Sequence, residues 1–236
     1  YIPEAVSLDN STYQIAASDL MRNGIITNPF IMPLYPLFLA VLGGGEKAQI
    51  LTGMIFGLIS VVLVWAYARA LFDDKKVGLV AAGMMAMYPM AIFYSVQGLT
   101  ESLFIPLVLG ALLALQKNKP SMASALFAIA VLARPVIELF APFAIFGQAL
   151  IIHKKGVSLA FRDLIVYGIF YALIMSPWWY HNLKKYDYFV RLNHSFGLVF
   201  YAGNNPMNIS GGGIGGKDYD VNKNVFTKDT NPVGGM

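Results

Sequence analysis

The sequence predicts an all-α, polytopic transmembrane helical bundle with extracytoplasmic loops and a juxtamembrane amphipathic helix. Three observations carry this. The chain of 236 residues is 57% hydrophobic and only 13% charged, about half the charge of a soluble domain. Its apolar residues form long runs, and mean hydropathy is +0.58. Its basic residues fall in small clusters between those runs, as membrane topology favours.

The first apolar run, 30–42, is too short to cross a bilayer and contains Pro33 and Pro36; it reads as a re-entrant or interface segment. Residues 48–72 reach the ~20 that a crossing needs. Runs at 77–97 and 98–116 follow, divided at Gly98 and the polar Thr100–Glu101 pair. Residues 118–152 are interrupted by Arg134–Pro135, and a last run, 161–179, ends at Ser176-Pro177-Trp178-Trp179. Charge decides whether 118–152 crosses once or twice. Two crossings put Arg69/Lys75/Lys76, Lys117/Lys119 and Lys154/Lys155/Arg162 on one side, which the positive-inside rule assigns to the cytoplasm.

The expected organisation is therefore three regions. Residues 1–47 form an extracytoplasmic first loop with an interface helix, 48–179 a bundle of five to six crossings, and 180–236 the start of a large external loop. Within the first loop, 11–23 reads as the amphipathic helix, with a capping-box pattern at Ser11 and Gln14, a Gly24 stop, and Tyr13, Ala16, Ala17, Leu20 and Met21 on one face. An external first loop calls for a preceding membrane helix, so the chain reads as truncated at both ends. The stretch from 203 onward is loop-like.

Composition excludes several classes of function. Without cysteine there is no disulfide framework, thiolate metal site or cysteine nucleophile. The net charge of +4 is dispersed, so no nucleic-acid-binding face is expected. The GGGIGG run at 211–216 follows no strand and makes a poor dinucleotide fingerprint. His153 reads as a solvated neighbour of Lys154 and Lys155. His181 and His194 are too isolated to form a metal site by spacing, and Trp178, Trp179 and Tyr180 read as an interfacial aromatic belt.

Three ionisable residues remain, each at a helix end or break on the external side. Asp9, just before the amphipathic helix, is a candidate base for a hydroxyl proton; its plain alternative is a solvated loop carboxylate. Glu101 opens a helix between two apolar runs, where ionisable groups usually face a cavity or a partner; its alternative is complementing the helix dipole. Arg134 precedes a proline near membrane depth and can hold a phosphate by paired hydrogen bonds. Its alternatives are snorkelling and a pair with Glu138, one turn on.

In order along the chain, these features resemble the C-type (GT-C) glycosyltransferases, in particular the prokaryotic family 39-type branch similar to protein O-mannosyltransferases and the lipid A aminoarabinose transferase. The resemblance rests on Asp9 with Tyr13 and Ala16–Ala17, Pro33-Leu34-Tyr35-Pro36, Tyr67–Phe72, Tyr88-Pro89 with Thr100–Phe104, Leu132-Ala133-Arg134-Pro135, and Pro177-Trp178 with Asn182 followed by Gly203-Asn204-Asn205-Pro206. His181 stands where such relatives commonly carry arginine.

The resemblance implies a glycosyltransferase of the plasma membrane with its active site on the extracytoplasmic face. It would move a hexose or pentose, with inversion, from a polyprenyl-phosphate carrier to a lipid, glycan or protein acceptor. Asp9 would act as base and Glu101 would place the acceptor; a divalent cation, where one is used, would be held by Asp9 or Glu101. Arg134, with His181, Lys184 and Lys185, would bind the donor phosphate. No cofactor beyond such a metal ion is implied. The competing reading is a transporter or flippase for a lipid-linked or anionic substrate; a non-catalytic scaffold gives the three ionisable residues no common role.

Overall fold

A computed structural model describes residues 4–204, 215–216 and 219–220, with side chains over 11–195 and at several positions of the last helix. The described chain is helical apart from one two-residue pairing. Ten helices follow in order: α1 Glu4–Asn23, α2 Leu34–Val41, α3 Gly45–Phe72, α4 Lys75–Met87, α5 Pro89–Gln97, α6 Thr100–Gln116, α7 Pro120–Ala133, α8 Ile137–Gly147, α9 Val157–Tyr186 and α10 Ser195–Gly203. A π-helical turn, Gln148–Ile152, extends α8. Two compact units result: Tyr1–Thr27 with Met32–Phe189, and Asn28–Ile31 with Val190–Met236.

In the larger unit, α3 and α9 are each long and apolar enough to cross a membrane, and α4 with α5 makes a third crossing if the bent pair is one span. α6, α7 and the α8–π segment are shorter apolar helices. The chain is thus an all-α membrane bundle. Exposed apolar side chains such as Leu58, Val62, Leu79, Ile165 and Leu173 cover its outer faces. Lipid tails are as apolar as these side chains, so cohesion comes from close packing and not from water exclusion. α7 illustrates it: Ala123, Ala128 and Ala130 are buried with Phe127 and Val131, and the small side chains let α6 and α9 approach.

Helix boundaries follow local chemistry. At Tyr88–Pro89 the expected single run 77–97 bends by 56°, because proline supplies no N–H and pushes Tyr88 to extended backbone, φ −72°, ψ 115°. α7 stops at Ala133, before Arg134–Pro135, as the sequence predicts. The last helix runs through Pro177 and beyond the apolar run 161–179; α9 continues to Tyr186. Pro177 leaves the Leu173 carbonyl without its usual donor, and the Ser176 hydroxyl takes that place at 2.9 Å.

One further expectation is corrected. α1 starts at Glu4 and not at Ser11, so both Asp9 and Ser11 lie within the helix. Residues 4–23 contain no glycine or proline to force a later start. The helix does end at Gly24, whose φ of +67° and N–H bond to the Leu20 carbonyl close it as expected. One face of α1 packs on the bundle: Ala17 joins Tyr35, Leu39, Ala48 and Leu103 in one buried cluster, while Ile15 and Met21 stay exposed. The eight-residue α2 is too short to cross, in keeping with the re-entrant reading of 30–42.

Polar contacts sort the bundle into two ends. Gln116 donates to the Ala70 carbonyl, Gln148 to the Gln116 carboxamide oxygen at 2.9 Å, and an imidazole nitrogen of His153 meets the Leu115 carbonyl at 2.7 Å. Lys155 and Arg162 both pair with buried Asp163. These contacts gather the basic clusters at one end, and they mean that the chain beyond the Arg134 break returns to the side it left. His153 is thereby part of this polar seam and not merely solvated. The opposite end collects α1, α2, the start of α6, the end of α7 and the last turns of α9.

The smaller unit contains α10, a nine-residue helix too short to give a periodic signal. His194 donates its N–H to the Pro29 carbonyl and Asn193 its amide to that of Phe30, so both tie together the two segments of this unit. Gly215–Gly216 pairs antiparallel with Tyr219–Asp220, within and after the glycine run read as a loop. Asn205–Pro206 and 211–214 lie outside the described residues.

Candidate active site

The site is built where two helix ends meet. Gly98, at φ +64°, closes α5. Leu99 is extended, and α6 opens with Thr100 and Glu101. α6 and α7 run as a hairpin, which returns the end of α7 to this point. Proline at 135 holds Arg134 extended, φ −147°, ψ 122°, so its side chain leaves the α7 axis.

Arg134 Nη1 forms an ion pair with Glu101 Oε1 and donates to Thr100 Oγ1 at 3.3 Å. Thr100 in turn lies 3.3 Å from Glu101 Oε2. The two charged side chains keep 38% and 24% of their exposure. The pair is thus neither locked in the core nor fully solvated, and water-screened pairing of this kind contributes about 1 kcal/mol or less to stability. The sequence alternative, Arg134 with Glu138, is not the arrangement found: Glu138 accepts a hydrogen bond from the Tyr171 hydroxyl.

Beside the pair, Tyr35 is fully buried, edge-on to Tyr13 at 5.2 Å between ring centres. Burial, then the neighbouring Tyr13 and Glu101, push its hydroxyl well above the ordinary tyrosine range, and the group stays neutral. Its oxygen faces the Ser102 hydroxyl, which opposes that shift and gives its own proton to the Leu99 carbonyl.

A cavity of about 290 Å³ lies at the same end, lined by Leu20, Ile26, Leu37, Leu132, Ile174, Trp178 and His181. Leu132 is two residues before Arg134. The His181 ring stacks on Trp178 at 5.3 Å and 9° between planes, and its Nε2 is buried with no hydrogen-bond partner among the described residues. The lining is apolar apart from this imidazole. Stacking on His181 gives Trp178 a role inside the protein that the aromatic-belt reading missed.

The remaining expected site residues are placed differently. Lys185 Nζ donates to the Ile26 and Thr27 carbonyls at 2.6 and 2.8 Å and lies over the Tyr186 ring. It fixes the turn after α1. Lys184 is exposed on α9. Asp9 is in α1, and its side chain lies outside the described residues. Among the described residues no group of three or more histidines and carboxylates is placed to hold a metal ion, and the cation beside Glu101 is Arg134.

Sequence reasoning missed Gln49. This amide is 2% exposed, accepts from Gln14 at 2.6 Å and donates, at a long 3.5 Å, to the Gly98 carbonyl. A lone amide near the start of an apolar membrane run was the available signal, since such groups must find partners there.

The model of one protein family, described as dolichyl-phosphate-mannose-protein mannosyltransferase, matches residues 28–181. That range contains Tyr35, Gln49, Glu101, Arg134 and His181, and leaves Asp9, Lys184 and Lys185 outside. No curated protein and no solved structure matches the chain.

Proposed function

The chain belongs to the dolichyl-phosphate-mannose-protein mannosyltransferase family and is a membrane glycosyltransferase of GT-C type, and we propose that it moves a hexose or pentose from a polyprenyl-phosphate carrier to an extracytoplasmic acceptor with inversion. The observation that supports this best is the Glu101–Arg134 pair sharing one end of the bundle with an apolar cavity. A lipid-linked sugar phosphate needs both a cation and an apolar groove. The basic clusters at the opposite end favour the cytoplasm, which leaves the site on the external face. The transporter reading has no comparable observation in its favour.

In this mechanism the acceptor hydroxyl oxygen attacks the anomeric carbon from the face opposite the phosphate. The bond between that carbon and the phosphate oxygen breaks, and the hydroxyl proton passes to the Asp9 carboxylate. Negative charge grows on the departing lipid phosphate. Arg134, held extended by Pro135 and oriented by Glu101 and Thr100, supplies the compensating charge from its remaining N–H donors. His181 Nε2 adds a contact at the polar end of the cavity, whose apolar walls take the first isoprene units. Glu101 places the acceptor and keeps Arg134 aimed. Lys184, exposed on α9, is a second cation for the phosphate, while Lys185 contributes by holding the 26–27 turn beside the cavity.

The test is turnover by purified full-length protein in lipid. A polyprenyl-phosphate sugar labelled in the sugar should yield free polyprenyl phosphate and labelled acceptor of inverted configuration. Turnover of a nucleotide sugar, with none of the lipid-linked donor, would overturn the proposal.

A further inference from the structure

We infer that Gln49 is a positioning residue for glycosyl transfer, coupling the first-loop helix α1 to the turn that carries Thr100 and Glu101. The inference rests on the Glu101–Arg134 site being the reaction centre. Its contacts run in one line through the protein. Gln14 of α1 donates to Gln49 Oε1 at 2.6 Å, and Gln49 Nε2 reaches the Gly98 carbonyl at 3.5 Å. Two residues on, Thr100 accepts from Arg134.

A second observation does not depend on hydrogen bonds. A Cβ at Gly98 would lie 2.6 Å from the Gln49 Cβ, so the body of the glutamine sits directly on this turn. Gly98 satisfies both demands at once, the left-handed φ of +64° and the absence of a side chain. Gln49 is buried between apolar helices, where a carboxamide without partners is costly. Its two partners, Gln14 and the Gly98 carbonyl, offset that cost. Coupling α1 to the Glu101 turn accounts for its chemistry, because one carboxamide both accepts from α1 and donates to the turn.

The experiment compares Gln49→Leu, Gln14→Ala, the double variant and Gln49→Asn in full-length protein. Gln49→Leu should lower kcat about ten- to a hundredfold, the range for sub-ångström to ångström misplacement of reacting groups, with donor and acceptor KM within about twofold. Gln14→Ala should lower kcat in the same direction, and the double variant should be no worse than Gln49→Leu alone, since both act through one contact. Gln49→Asn, too short to bridge, should resemble Gln49→Leu. Spin labels at the exposed positions 15 and 96 of this cysteine-free chain should give a broader distance distribution in Gln49→Leu.

Wild-type kcat in Gln49→Leu, or strictly additive losses in the double variant, would overturn the inference. If Gln49→Leu does not fold, Gln14→Ala with unchanged kcat and an unchanged label distance overturns it equally. Glu101→Gln separates the premise: full activity in that variant refutes the site, whereas a loss there with normal Gln49→Leu refutes only the positioning role.

Discussion

Gly98→Ala and Gly24→Ala make a matched pair, because both glycines have nearly the same backbone, φ +64° and +67°, in different surroundings. A left-handed conformation costs an L-residue about 1–2 kcal/mol, and both variants incur that cost. At Gly24 nothing lies within 4 Å of the new methyl, so the cost ends there. At Gly98 the methyl would sit 2.6 Å from the Gln49 Cβ, close to backbone and not the end of a flexible chain. Overpacking of this kind adds about 1–3 kcal/mol. The total at Gly98 is therefore about 2–5 kcal/mol. For a chain of this size each kcal/mol moves the melting temperature about 2–4 °C, so Gly98→Ala should melt about 2–12 °C below Gly24→Ala. Thermal unfolding of both variants in one detergent, alongside transfer activity, is the assay. Gly98→Ala should also lose transfer activity, while Gly24→Ala keeps it. Equal melting temperatures would refute the close packing of Gln49 on this turn.

Further outcomes follow from the same geometry. Arg134→Ala should raise KM for the lipid-linked donor and lower kcat together, because the phosphate is held in ground and transition states alike; Arg134→Lys should not restore it, since a point charge lacks the guanidinium fork. Asp9→Asn should lower kcat about 10²–10⁴-fold with donor binding retained, which equilibrium binding of the donor and single-turnover rates will separate. Tyr35→Phe should move the melting temperature by no more than about 2–4 °C, because the buried hydroxyl faces a single polar side chain, Ser102.

What the sequence disclosed depended on whether the deciding contact was local. The breaks at Arg134–Pro135 and at Gly98 were legible because proline and glycine restrict or free their own backbone. Pro177 does not end its helix because its consequence is cancelled by Ser176, whose hydroxyl takes up the Leu173 carbonyl. The capping box at Ser11 and Gln14 misled because Gln14 is committed to Gln49, 35 residues away, and the helix simply runs through Ser11. Glu101 and Arg134 were each visible as ionisable groups at helix ends. Their pairing was not, since Glu138 is nearer in sequence and only the α6–α7 hairpin selects Glu101. Lys185 reads in the sequence as one of two equivalent cations. Its role at the 26–27 turn is set by contacts about 160 residues distant.

Photo-crosslinking tests the location of the donor site most directly. A polyprenyl-phosphate sugar carrying a photoreactive group in its first isoprene unit is bound to full-length protein, irradiated, and the labelled peptides identified by mass spectrometry. Label is expected on the peptides that contain Leu132–Arg134 and Pro177–His181, and competition by unmodified donor should remove it. Label confined to the opposite end of the bundle, around Lys155 and Asp163, would contradict the placement of the transfer site at Glu101 and Arg134.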